Sequence, residues 1–85
     1  MSFLAKVYVV PKPAILDPEG KAVAGSLHSL GYDEVADVRL GKYIEVSLEE
    51  SDAAKAEARI DEMCRRLLAN EVIEDFRFEI EERST

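Results

Sequence analysis

The chain is 85 residues long, enough for one small domain that removes only about 60% of its unfolded surface from water, so its core is thin. Hydrophobic residues make up 47% and charged residues 34%, a balance that excludes a disordered chain, while a formal net charge of −7 disfavours phosphate backbones and anionic membranes. No apolar run approaches the roughly 20 residues of a membrane-spanning helix. The start, Met1-Ser2-Phe3-Leu4-Ala5-Lys6, lacks the basic and apolar regions of a secretion signal, and the single cysteine, Cys64, has no partner within the chain. Together these point to the reducing cytoplasm.

Phe3 to Val10 alternates Ala5, Val7 and Val9 against Leu4, Lys6, Tyr8 and Val10, which predicts a strand with one strongly apolar face. Pro11 and Pro13 remove two backbone donors and disfavour helix just before each of them, so the chain leaves the sheet in an extended loop. Asp17 then supplies a helix cap, Pro18 suits the first turn, and Glu19 suits the positive end of the helix dipole. At about 100° per residue Val23, Leu27 and Leu30 share a stripe, with Gly25 and His28 pointing away. Gly31 marks a left-handed stop.

Val35 to Leu40 and Tyr43 to Leu48 read as two strands of a hairpin turned at Gly41-Lys42. Ser51 or Asp52 caps a second helix, with Ala56, Ile60, Met63, Cys64 and Leu67 as its core stripe and the pairs Asp61/Arg65 and Glu62/Arg66 outside. Asn70 ends it. Val72 to Ile80 supplies the last strand, with Phe76, Phe78 and Ile80 on one face.

The order β-α-β-β-α-β predicts an α+β, ferredoxin-like fold: a four-stranded antiparallel sheet with both helices on one face. One domain spans residues 1–82, and residues 83–85 form a short tail. The stretch from Pro11 to Leu16 is the expected hinge, and any segment exchanged between subunits is expected to cross there.

The residues offer little chemistry. His28 is accompanied by neither a nucleophile nor a metal set, which leaves it exposed or in a subunit contact. Cys64 reads as a buried structural thiol. The helix start could attract an anion, with Lys12 or Lys21 nearby, but Asp17 and Glu19 already occupy its positive end, so local capping is favoured. Gly20 fits a close backbone approach to another element or subunit. Gly41-Lys42 lacks the setting of a phosphate loop, and the acidic end from Glu79 to Glu82 lacks calcium-loop spacing. No catalytic, cofactor or metal residue is assigned. The candidate interface or hinge comprises Lys12, Pro13, Asp17, Pro18, Gly20, Lys21 and His28.

The ordered motifs Lys12-Pro13-Ala14-Ile15-Leu16-Asp17-Pro18-Glu19-Gly20-Lys21-Ala22-Val23, Leu27-His28-Ser29-Leu30-Gly31-Tyr32, Val35 to Ile44, Met63 to Asn70 and Val72 to Glu81 resemble the PurS family. That family is the small subunit of bacterial phosphoribosylformylglycinamidine (FGAM) synthase. The resemblance covers nearly the whole chain. It implies a noncatalytic part in purine (IMP) biosynthesis, bridging a large synthetase subunit (PurL), which uses ATP and Mg, and a glutaminase subunit (PurQ), and supporting ammonia transfer between them. It also implies a homodimer or tetramer. Ala14 and Glu19, where the family often has glycine and glutamine, and the prolines at 11 and 13 depart from its pattern. The competing expectations are a small-molecule-binding regulatory module of the same fold, and an acylphosphatase-like enzyme. The latter would need an arginine-bearing phosphate loop where this chain has Pro11-Lys12-Pro13.

Overall fold

The computed structural model describes residues 1–83. The alternating segment at the start forms β1 (Ser2–Pro11), the middle strand of a three-stranded sheet. Strands β2 (Lys42–Glu49) and β3 (Glu74–Arg83) flank it, both antiparallel to it. Val7 lies between Ile44 and Phe78 on the inner face, and Tyr8 between Tyr43 and Arg77 on the outer one. The period-2 pattern of β1 is realised as written: Phe3, Ala5, Val7 and Val9 are buried, while Leu4, Lys6 and Tyr8 are half-buried on the other side.

The inner face is covered by α2 (Ala53–Met63), which Asp52 caps by accepting the Lys55 amide at 2.8 Å. Ala56, Ile60 and Cys64 close over β1, and Ile44, Val46, Leu48, Phe76, Phe78 and Ile80 pack around them half-buried. Beyond Met63 the helix widens into a π-turn, Cys64–Leu68, in which the Ala69 amide donates to the Cys64 carbonyl at 2.9 Å. The extra residue changes the phase of the apolar stripe. Leu68 and Ala69 turn inward, and Leu67, expected in the core, is 83% exposed. Asn70 then folds a turn whose carbonyl accepts the amides of Ile73 and Glu74, so the last strand begins two residues later than expected and leaves Val72 exposed. Arg83 closes β3, and of the expected tail residues 84 and 85 lie outside the described ones.

Within this chain the expected α+β fold forms with three of the four expected strands, and only one of its two helices lies on the sheet. Val35 to Leu40 pairs with no strand of its own chain, and side chains hold three of its backbone groups: His28 Nε2 meets the Val35 carbonyl at 2.8 Å, Asp37 accepts the Val38 amide, and Asp17 accepts the Leu40 amide. Gly41 is accordingly no hairpin turn. It lies where a Cβ would strike the Val9 carbonyl oxygen, and its missing side chain lets β2 start flush against β1.

Helix α1 (Pro18–Ser29) is not laid on the sheet; only α2 covers it. Two passes of chain, the exit from β1 and the entry to β2, are tied into a neck that carries α1 outward. The Arg39 guanidinium donates to the carbonyls of Pro11 at 3.3 Å and Lys12 at 2.6 Å. The buried Asp17 carboxylate accepts the Gly20 amide on one oxygen at 2.9 Å and the Leu40 amide on the other at 2.8 Å. A Cβ on Gly20 would strike the Val38 carbonyl oxygen and the Asp17 carboxylate, so that glycine serves a close approach within the chain. The resulting shape measures 50 × 28 × 14 Å with a radius of gyration of 16.5 Å. A closed domain of this length has about 12 Å.

Three outcomes follow for solution work. The Leu40 and Gly20 hydrogen bonds, aided by Arg39, hold the Asp17 carboxyl below the usual carboxylate range. A folded-state pKa below the unfolded one stabilises the fold above the unfolded value of about 3.9, and this contribution disappears as pH falls through the folded value. Asp17→Ala lowers the melting temperature by about 4–8 °C at neutral pH. Asp17→Asn keeps the cap but sets an amide donor against the Leu40 N–H, and thermal melts between pH 7 and 2 lose the share of acid sensitivity owed to this group. Cys64 is fully buried and its thiol is pushed up by desolvation, so Ellman's reagent labels it in the native chain far more slowly than in denaturant.

Candidate functional site

Six of the seven residues expected at the interface or hinge gather at the base of the projecting arm, residues 12–41. Lys12 pairs with Asp75 at 3.1 Å and ties the loop to β3, and Pro13 is exposed beside it. Asp17 caps α1, Pro18 opens it, and Gly20 is buried against the returning chain. Lys21 borders a hollow of about 270 Å3 shared with Pro13, Asp17 and Arg39. His28 stands apart near the far end of α1, where its ring holds the Val35 carbonyl.

The arm is built by ordinary helix rules. Its first turn carries Glu19, and at its end Gly31 adopts φ +99° while the Tyr32 amide reaches back to the Leu27 carbonyl at 3.0 Å. The stripe predicted for α1 exists and is only partly covered by the described residues: Leu27 is half-buried, but Leu30 is 74% exposed and Val23 37%. Tyr32 is also exposed.

The positive end of α1 is already filled. Asp17 takes the Gly20 amide, and Arg39, the nearest guanidinium, is committed to two backbone carbonyls. The polar groups at the base therefore hold the chain in place. Reading the sequence alone missed Arg39, Leu40 and Gly41 as parts of this construction. The available signal was a lone arginine between Val38 and Leu40, two residues before Gly41.

A second apolar surface lies across the molecule. Beside α2, over the inner face of β2, a groove of about 360 Å3 is lined by Val46, Met63, Leu67 and Leu68, with Arg59 and Arg66 at its rim. In a two-helix cover α1 would fill this position, but the neck directs it elsewhere. The outer edge of β2 is unpaired as well. Among the described residues no group of three or more His, Cys, Asp or Glu side chains is placed to hold a metal ion. The arrangement is equipped for association: a largely exposed apolar helix face and an apolar groove beside α2.

Comparison with known proteins agrees along the whole length. Residues 4–82 match the family model described as PurS, phosphoribosylformylglycinamidine (FGAM) synthase. The phosphoribosylformylglycinamidine synthase subunit PurS of Bacillus subtilis (strain 168) is 52% identical over 80 residues, covering 94% of each chain. A solved structure of Thermus thermophilus PurS superposes with a TM-score of 0.88 at 35% identity, over 99% of this chain and 100% of that one. A chain of the PurLQS structure from Thermotoga maritima does so with a TM-score of 0.87 at 26% identity, over 94% and 98%. The chain belongs to the PurS family, a subunit of FGAM synthase, the ligase complex of purine biosynthesis.

Proposed function

We propose that this chain is a noncatalytic assembly subunit that joins the synthetase (PurL) and glutaminase (PurQ) subunits of FGAM synthase in the cytoplasm and supports ammonia transfer between them. ATP and Mg are used by the synthetase subunit. The observation that carries this reading is the outward α1, which leaves apolar surface on two sides of one small chain. A chain of the PurLQS structure from Thermotoga maritima matches nearly all of this one, which supports the reading.

The same surfaces support a homo-oligomer that completes the ferredoxin-like fold with two chains. In this reading, α1 of one copy enters the groove beside α2 of the other, and residues 35–40 add to the open edge of β2 as the fourth strand. Covering Val23, Leu27 and Leu30 contributes roughly 1.5–3 kcal/mol for each side chain that becomes fully buried. The prolines between β1 and α1 favour the extended exit that such an exchange requires.

Two experiments test this. Glutamine-dependent FGAM synthesis is measured with purified synthetase and glutaminase, with and without this chain: activity rises strongly on its addition, and equal rates overturn the assembly role. Light scattering gives an oligomeric mass for the wild-type chain and a monomeric one for Leu30→Asp, whose side chain supports no core within its own chain. An unchanged mass for the variant overturns the exchange.

A further inference from the structure

The proposed exchange uses the inner face of the sheet and leaves the outer face open. That face is read directly from the register. Tyr43, Tyr8 and Arg77 form one row across the three strands, Glu45, Lys6 and Glu79 the next, and Ser47, Leu4 and Glu81 the third. The first row is a stack: the rings of Tyr8 and Tyr43 have centroids 5.2 Å apart, and the Arg77 guanidinium lies 4.0 Å over the Tyr8 ring. Next to it is a hollow of about 380 Å3, bordered by Tyr8, Val10, Tyr43 and Arg77, with Lys42 and Asp75 also lining it. Tyr43 is 51% exposed at its edge.

The two halves of this face differ in charge. On the β3 side the carboxylates are answered: Glu81 by Lys6 at 2.6 Å and Arg83 at 3.1 Å, Glu79 by Arg77 at 3.6 Å, and Asp75 by Lys12 at 3.1 Å. On the β2 side Glu45 accepts only the Tyr43 hydroxyl, at 2.8 Å, and neither Glu45 nor Glu49 has a cation within ion-pair distance among the described residues. The face thus joins an aromatic centre with a socket to an acidic margin that lacks counterions.

We infer that this outer face docks a partner subunit of the synthase, one that presents an apolar anchor side chain for the hollow and lysine or arginine beside it for Glu45 and Glu49. A second copy fits poorly. It carries the same acidic margin of Glu45 and Glu49, so pairing the two outer faces opposes like charges. Tyrosine and arginine at the centre are the residue types that dominate binding energy at protein interfaces. The inference rests on the assembly role proposed above and adds the face that performs it.

The test immobilises the full-length chain and measures its affinity for the purified synthetase and glutaminase subunits separately, at low salt and at high salt. Tyr43→Ala weakens binding of one of the two subunits about tenfold or more, and the double variant Glu45→Lys, Glu49→Lys weakens the same subunit and flattens its salt dependence. Circular dichroism and the homo-oligomeric mass stay as in the wild type. Wild-type affinity of both variants for both subunits overturns the inference while leaving the assembly role intact. A wild-type chain that binds neither subunit overturns the assembly role itself. A Tyr43→Ala chain that loses its homo-oligomeric mass assigns the face to a second copy and overturns the inference by that route.

Discussion

The Asp17 carboxylate decides where one third of this molecule goes. One oxygen closes the first turn of α1, and the other takes the amide of Leu40, the last residue but one before β2. A single buried group thus couples the direction of a helix to the point where the chain re-enters the sheet. The Arg39 guanidinium performs the complementary task on the carbonyls of Pro11 and Lys12. Donors and acceptors that would otherwise be stranded at a crowded crossing are matched, and the arm follows from the matching.

That constraint separates two tasks usually performed by one core. β1 and α2 form a small dry centre of Val7, Val9, Ile60 and Cys64, sufficient to hold a three-stranded sheet. The apolar stripe of α1 contributes nothing to it. A chain this short gives up valuable hydrophobic cover in doing so, which makes sense where the cover is used between chains. Membership of a multisubunit ligase supplies such a setting.

Much of this was legible in the sequence because the signals were local. The alternation of β1, the Asp17-Pro18 helix start, the Gly31 stop and the Asp52 cap each depend on a few neighbouring residues, and each appears where the pattern places it. The failures came where distant groups compete. Val35 to Leu40 has the residues of a strand, yet two of its amides and one of its carbonyls are held by Asp17, Asp37 and His28, and no local rule announces a partner 23 residues away. Leu67 has the right spacing for a core stripe, but the π-turn changes the phase before it. For the interface, the sequence pointed to the hinge at Asp17 and Gly20; it concealed Arg39, whose role exists only once β1 and the returning chain are side by side.

The strand order β2-β1-β3 leaves two free edges of unequal character. β3 carries Glu74, Asp75, Arg77, Glu79, Glu81, Glu82 and Arg83 among its ten residues, whereas β2 carries only Lys42, Glu45 and Glu49 among eight. Dense charge along an edge penalises further strand addition. Under the exchange proposed above, a sheet barred on one side and receptive on the other would extend in a single direction and then stop. Polarity of this kind separates a finite particle from a fibre, and here it is written into the difference between two strands that share the same neighbour.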